Sequence, residues 1–259
     1  MKNKFGIFSG SDLKLIACIA MAIDHAGLLL FPGDTVWRAI GRLAFPLFAF
    51  FIAEGCRYTR NRMKHFLLIF GVGAFYFAFY YVAYGTPYAS VFLTFSVSVL
   101  MIYLTDALKS FCLFGGRKVL KILLSVLILF SALAVAYTLF CLIDFDYGFF
   151  GMLAPVIANL FVFRDSGAPR IFKYLSLLPV RVVLLGLSFI PVCMDNRHGD
   201  LYIFGTPVPV QYLCLLALPL LMLYNERVGN KRLKYFFYVF YPAHLVIIEG
   251  IALIVAYLG

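Results

Sequence analysis

Apolar residues in this chain come in long runs separated by short polar joints. Splitting at those joints gives nine segments: Leu13 to Phe31, Val36 to Ala53, His65 to Tyr84, Ala89 to Leu104, Val119 to Ile143, Phe149 to Phe163, Tyr174 to Met194, Pro209 to Leu223 and Tyr235 to Leu258. A helix needs about 20 predominantly apolar residues to cross a bilayer. Strands of an outer-membrane barrel would instead alternate apolar and polar residues over about ten positions. The pattern therefore predicts an all-α fold, a polytopic membrane bundle of about nine transmembrane helices forming a single domain over residues 1–259.

Composition excludes the alternative of a soluble domain. Hydrophobic residues make up 64% of the chain and charged residues 13%, with a mean hydropathy of +0.96, whereas a soluble domain is about half apolar and a quarter charged. The net charge of +10 invites a nucleic-acid reading until its distribution is mapped. Eighteen of the 22 basic residues fall in five alternate joints: Lys2, Lys4 and Lys14; Arg57, Arg60, Arg62 and Lys64; Lys109, Arg117, Lys118 and Lys121; Arg164, Arg170 and Lys173; Arg227, Lys231, Arg232 and Lys234. The intervening joints carry Arg197 against Asp34, Asp144, Asp146, Asp195 and Asp200. Basic residues are retained on the cytoplasmic side, so the charge predicts the N-terminus inside and the C-terminus outside. It has no duplex-sized face on which to bind nucleic acid, and membrane lipids are its expected counter-charge. The first apolar run follows Lys2 and Lys4 but contains Asp24 and His25 and precedes no small-residue cleavage site, so it reads as a retained helix and not a secretory signal. Six scattered cysteines show no metal-ligand spacing and read as small buried hydrophobes; a Cys141–Cys193 bridge is left open.

Removing the topology-setting charges leaves Arg38, Arg42, Arg181, Asp24, His25, Glu54, His244 and Glu249 within or at the rim of apolar segments. Ionisable groups in hydrocarbon cost about 2.5 to 3.5 kcal/mol on insertion scales, so they face the bundle interior and mark candidate sites. Lys14 precedes His25 by eleven residues, about three turns, which puts both on one helix face about 16 Å apart. Asp24 lies about 100° round the helix from His25, so it is placed to pair with an arginine on a neighbouring helix rather than to orient the histidine. Arg38 and Arg42, at i and i+4, form a short cationic stripe suited to phosphate or carboxylate. A purely structural reading instead has Arg38 at the outer rim and Arg42 on Asp24. Pro46 deprives the Arg42 carbonyl of its helical donor, which predicts a kink there. Glu54 ends the same segment, where an interfacial role is the plain alternative. Asp146 and Tyr147 stand at a helix entrance, with a simple N-cap as the alternative for Asp146. His244 follows Pro242 in the last segment, with a core hydrogen bond to a tyrosine as its alternative. Two proline-marked polar points in distant helices suggest one shared cavity.

At these positions the sequence resembles the TraX family of conjugal-transfer membrane proteins. The matching stretches are Leu13-Lys14 through Ile23-Asp24-His25-Ala26-Gly27, then Ile40-Gly41-Arg42-Leu43-Ala44-Phe45-Pro46 through Ala53-Glu54-Gly55 and Thr59-Arg60-Asn61-Arg62, and near the end Phe237-Tyr238-Val239-Phe240-Tyr241-Pro242-Ala243-His244-Leu245. Asp146-Tyr147-Gly148 and Gly151 are similar but less specific. The resemblance implies a bacterial inner-membrane N-acetyltransferase that acetylates the N-terminus of a processed pilin or a related envelope acceptor. The chain also looks related to the integral-membrane acyltransferases. These use acyl-CoA, here acetyl-CoA, and place a basic residue ten intervening positions before an essential histidine, as Lys14 and His25 are placed here.

On that resemblance His25 would be the general base toward an acceptor amine or hydroxyl, in an N- or O-acetyl transfer, with Asp24, Arg42 and His244 as its catalytic companions. Lys14, Arg38, Glu54, Asp146 and Tyr147 would bind substrate, Lys14 toward the coenzyme A phosphates. The same residue types also suit a proton- or anion-coupled carrier, although the two halves show no inverted repeat. A passive envelope assembly factor would leave the intramembrane charges unexplained.

Overall fold

A computed structural model describes residues 6–31, 33–113, 116–163, 169–194, 199–203 and 205–258. Of the charges that set the expected topology, Lys2, Lys4, Arg164, Asp195 and Arg197 lie outside the described residues. The chain is nearly all helical and forms two compact units, one from residues 1–51 and 189–259, the other from residues 52–188.

All nine apolar segments are helical, but not equally. Six are long and apolar enough to cross a membrane: Gly10–Leu30, Thr35–Tyr58, Arg62–Tyr84, Val91–Leu113, Lys118–Leu142 and Tyr235–Ala252. The other three form the shorter apolar helices Gly148–Ala158, Leu178–Cys193 and Val210–Met222. At about 1.5 Å per residue these fall short of a hydrocarbon core of about 30 Å. Each carries proline, Pro155 in the first, Pro179 and Pro191 in the second and Pro219 in the third, and each proline removes a backbone donor that helix continuation needs.

The first unit is built on α1 (Gly10–Leu30), α2 (Thr35–Gly41) and the start of α3 (Ala44–Tyr58). Ser9 and Asp12 form a reciprocal capping box at the entrance of α1, satisfying backbone donors that a helix start leaves unpaired. The kink expected at Arg42 is a break: α2 ends at Gly41 and α3 resumes at Ala44. Two glycines let α1 and α2 approach closely, since a Cβ on Gly27 would overlap Trp37 and one on Gly41 would overlap Asp24. Small residues at such contacts are the usual means of tight helix packing in lipid, where no hydrophobic force drives helices together. A long C-terminal helix, residues Lys234–Leu258, also packs on α1 and runs unbroken through Pro242. A 3-10 segment, Val210–Leu216, packs on α2.

In the second unit α4 (Arg62–Tyr84) and α5 (Val91–Leu113) pack together, and α5 also packs on α6 (Lys118–Leu142) and α7 (Gly148–Ala158). Hydroxyls glue α5 to the α7 region: Ser98 donates to the Met152 carbonyl at 2.6 Å and Thr94 to the Asp146 carbonyl at 2.9 Å. A two-residue parallel pair, β1 (Tyr88–Ala89) on β2 (Asp144–Phe145), joins the loops before α5 and α7. Most of α6 is apolar and exposed, as expected of a helix facing lipid.

Candidate functional site

Consecutive residues on a helix point about 100° apart, so Asp24 and His25 address two different neighbours of α1. Asp24 faces α2. Its carboxylate accepts from Arg42 Nη2 at 2.9 and 3.0 Å, and Arg38 Nε lies 3.4 Å from the same group. Arg42 is 2% exposed and Asp24 9%. Arg42 also donates Nη1–H to Gln211 Oε1 at 3.1 Å and Nε–H to the Arg38 carbonyl at 3.3 Å. The expected pairing of Asp24 with an arginine is thus present, as the structural reading of Arg42 has it, while Arg38 joins the same carboxylate.

His25 faces the C-terminal helix, where its Nδ1 lies 2.9 Å from His244 Nε2. The rings are tilted by 51° with centroids 4.9 Å apart. His244 is buried, while His25 is only part-buried. His244 Nδ1 sits 2.9 Å from the Phe240 carbonyl, and the Phe240 ring stacks on the His244 ring at 4.9 Å. Its hydrogen bond goes to a backbone carbonyl one turn back, not to a tyrosine hydroxyl. The two proline-marked points of the sequence, Arg42 and His244, each reach α1, at the neighbouring residues Asp24 and His25.

The hydrogen-bond pattern fixes the tautomers of the neutral pair. A carbonyl only accepts, so His244 carries its proton on Nδ1 and leaves Nε2 as an acceptor. His25 must then donate from Nδ1, which leaves the lone pair on its own Nε2. That is the arrangement of a base whose orientation is set by a partner.

Lys14 lies on the same helix, with its ammonium over the rings of Phe51 at 5.2 Å and Phe237 at 5.7 Å. Glu54, Asp146 and Tyr147 belong to the second unit and are held by neighbours there. Glu54 is 5% exposed and is buried against Arg181, which also donates to the Ala158 carbonyl at 3.2 Å. Asp146 is not the N-cap of α7. That position is Tyr147, in the left-handed region at φ 60°, and no side chain caps it. The backbone of Asp146 instead donates to the Ala89 carbonyl at 2.9 Å. The Cys141–Cys193 bridge left open by the sequence is not formed: Cys193 Sγ lies 3.5 Å from Cys214 Sγ, and both thiols are free.

Sequence reasoning missed Gln211, a neutral residue in an apolar run with no pattern to flag it. It also missed the second unit's polar cluster. Asp106 contacts Arg62 and Lys109 at 3.5 Å, and Asn159 Nδ2 donates to it at 3.4 Å. Ending the fourth segment at Leu104 put Asp106 in a joint, whereas α5 continues to Leu113 and buries it.

The fold and site define a polytopic helical membrane protein with a histidine pair and a buried carboxylate–guanidinium cluster gathered on its first helix. Within that class the chain belongs to the TraX family: residues 9–252 match the family described as TraX protein. It is 31% identical over 264 residues to a protein of Dichelobacter nodosus named probable fimbrial assembly protein FimC, serogroup H1, a match that covers 93% of this chain and 94% of that one. A Rickettsia prowazekii protein is 45% identical over 60 residues, 23% of each chain. No solved structure matches the chain with significance.

Proposed function

We propose that the protein is an acyltransferase of the bacterial inner membrane that moves an acetyl or other acyl group from acyl-CoA to the amine of a pilin-like or envelope acceptor. The observation that carries this reading is the His25–His244 hydrogen bond, whose polarity in the neutral pair leaves a lone pair on His25 Nε2. Family membership and the fimbrial name of the Dichelobacter relative support the choice of acceptor.

In the proposed step the acceptor nitrogen attacks the thioester carbonyl carbon, forming the new C–N bond. His25 Nε2 takes the proton from that nitrogen. As His25 becomes an imidazolium, its Nδ1–H bond to His244 Nε2 becomes charge-assisted and strengthens. The C–S bond then breaks, and the coenzyme A thiolate leaves with the proton returned from His25. Arg42 and Arg38, held in place by Asp24, put positive charge near the carbonyl oxygen as it becomes an oxyanion. Lys14 and the basic joints provide charge for the donor's phosphates. Among the described residues His25 has no hydrogen bond to a serine or cysteine, which favours direct transfer over an acyl-enzyme.

The test is to incubate purified protein with radiolabelled acetyl-CoA and an amine acceptor peptide. Wild type is expected to transfer label and His25→Ala to lose about 10²- to 10⁴-fold in rate. Equal transfer by the two proteins would overturn the mechanism.

A further inference from the structure

Gln211 carries a polar atom that the histidine chemistry leaves unused. Its Oε1 accepts from Arg42 Nη1 at 3.1 Å, which fixes the orientation of the amide, since the reverse orientation would set N–H against N–H. Its Nε2 is consequently a buried donor with no hydrogen-bond partner among the described residues, on a side chain that is 2% exposed. An unsatisfied buried amide costs free energy comparable to a lost hydrogen bond, so such a donor signals a missing acceptor. The surroundings specify its charge. The amide nitrogen shares a carbon with the oxygen that holds Arg42, and two guanidiniums, Arg42 and Arg38, are gathered there on the single carboxylate of Asp24. A donor beside clustered guanidiniums calls for an anionic oxygen. The segment that carries Gln211 is a 3-10 helix between Pro209 and Ala217, packed on α2, so the amide is presented by the element that also contacts the arginine helix.

We propose that Gln211, with Arg42 and Arg38, forms an oxyanion-recognition subsite at the Asp24 end of the cluster, for a carboxylate or phosphate carried by the substrate. Gln211 would then determine which acceptors are accepted, because an acceptor lacking the anion leaves the buried amide unpaired. The proposal rests on the acyl-transfer reading only for assigning the anion to the acceptor; the binding subsite stands without it.

The test uses full-length protein and needs no catalysis. Binding is measured for a short peptide with a free amino terminus and a glutamate beside it, and for the matching glutamine peptide, both in phosphatidylcholine nanodiscs. A separate arm compares thermal stability in phosphatidylglycerol and phosphatidylcholine nanodiscs, which reads a lipid phosphate as the source of the anion. Wild type is expected to prefer the anionic member of one pair by about tenfold, the worth of one charge-assisted hydrogen bond. Gln211→Leu should lose that preference. Gln211→Glu should lose it too while keeping an acceptor for Arg42, so a loss common to both variants is not a folding defect. His25→Ala should keep it, which separates failure of the subsite from failure of the acyl-transfer reading. No anion preference in wild type in either arm, or a preference unchanged in both Gln211 variants, overturns the subsite.

Discussion

His25 donates its Nδ1–H to Nε2 of His244 across 2.9 Å, two residues 219 positions apart in the chain. The polarity of that bond follows from a third atom, the Phe240 carbonyl, which can only accept. On the proposed mechanism His244 is a positioning residue: in the neutral pair it selects the tautomer in which His25 presents a lone pair.

Replacing it with alanine frees the His25 ring and the choice of tautomer. His244→Ala should lower kcat by about 10- to 100-fold, the range seen when the partner fixing a ligating histidine is removed, with KM for acyl-CoA unchanged. Steady-state label transfer over a range of acetyl-CoA concentrations separates the two constants. A change confined to KM would place His244 in donor binding instead.

Removing Arg42 leaves the buried Asp24 carboxylate with Arg38 alone, at 3.4 Å. Arg42→Leu should destabilise the protein by about 3 to 5 kcal/mol, read as a lower midpoint of thermal unfolding in detergent. Arg42→Lys should rescue little, since an ammonium cannot reproduce the two bonds from one guanidinium nitrogen together with the Gln211 contact. Asp24→Leu combined with Arg42→Leu should recover much of the loss, because both charges leave together. Full additivity of the single variants would argue against the pair.

The approach of α1 to α2 depends on two glycines, and substitution tests it directly. Gly41→Ala should fail to assemble or be strongly destabilised, because its Cβ would occupy the space of Asp24. Gly71→Ala in α4 meets nothing within 4 Å and should be neutral. Fluorescence size-exclusion profiles of the two variants distinguish these outcomes.

Cysteine accessibility provides a further check. Cys141 is exposed, whereas Cys18, Cys56, Cys193 and Cys214 are buried, so a maleimide applied to native protein in detergent should label Cys141 and spare those four. Mass spectrometry of the labelled peptides reports which thiols reacted. Labelling of Cys193 before Cys141 would contradict the packing around the 3-10 segment.

Crossing number has its own readout. Nine crossings put the two chain ends on opposite sides of the membrane, whereas six put them on the same side. A reporter fused after Gly259 is expected on the outer side, in accord with the alternation of basic joints. A cytoplasmic signal would show that the three short proline-bearing helices do not complete an odd number of crossings.

Hydropathy alone located every apolar helix, because burying backbone in lipid demands helical hydrogen bonding whatever the side chains do. It also made Asp24, His25, Arg42 and His244 conspicuous, since charge is rare in such a chain. Local chemistry gave the break at Arg42, which follows from the missing N–H of Pro46. The 100° step between neighbours likewise sent Asp24 to an arginine rather than to His25.

What the sequence left open depended on which helices become neighbours. Nothing local says that residue 244 meets residue 25, or that a neutral glutamine at 211 holds Arg42, because a lone histidine or glutamine carries no periodic pattern. Glu54 and Arg181 are 127 positions apart and pair only once the second unit has packed. Helical geometry and lipid solvation act over a few residues and can be read from the chain; partner choice, tautomer and the orientation of a buried amide are settled by contacts made in three dimensions.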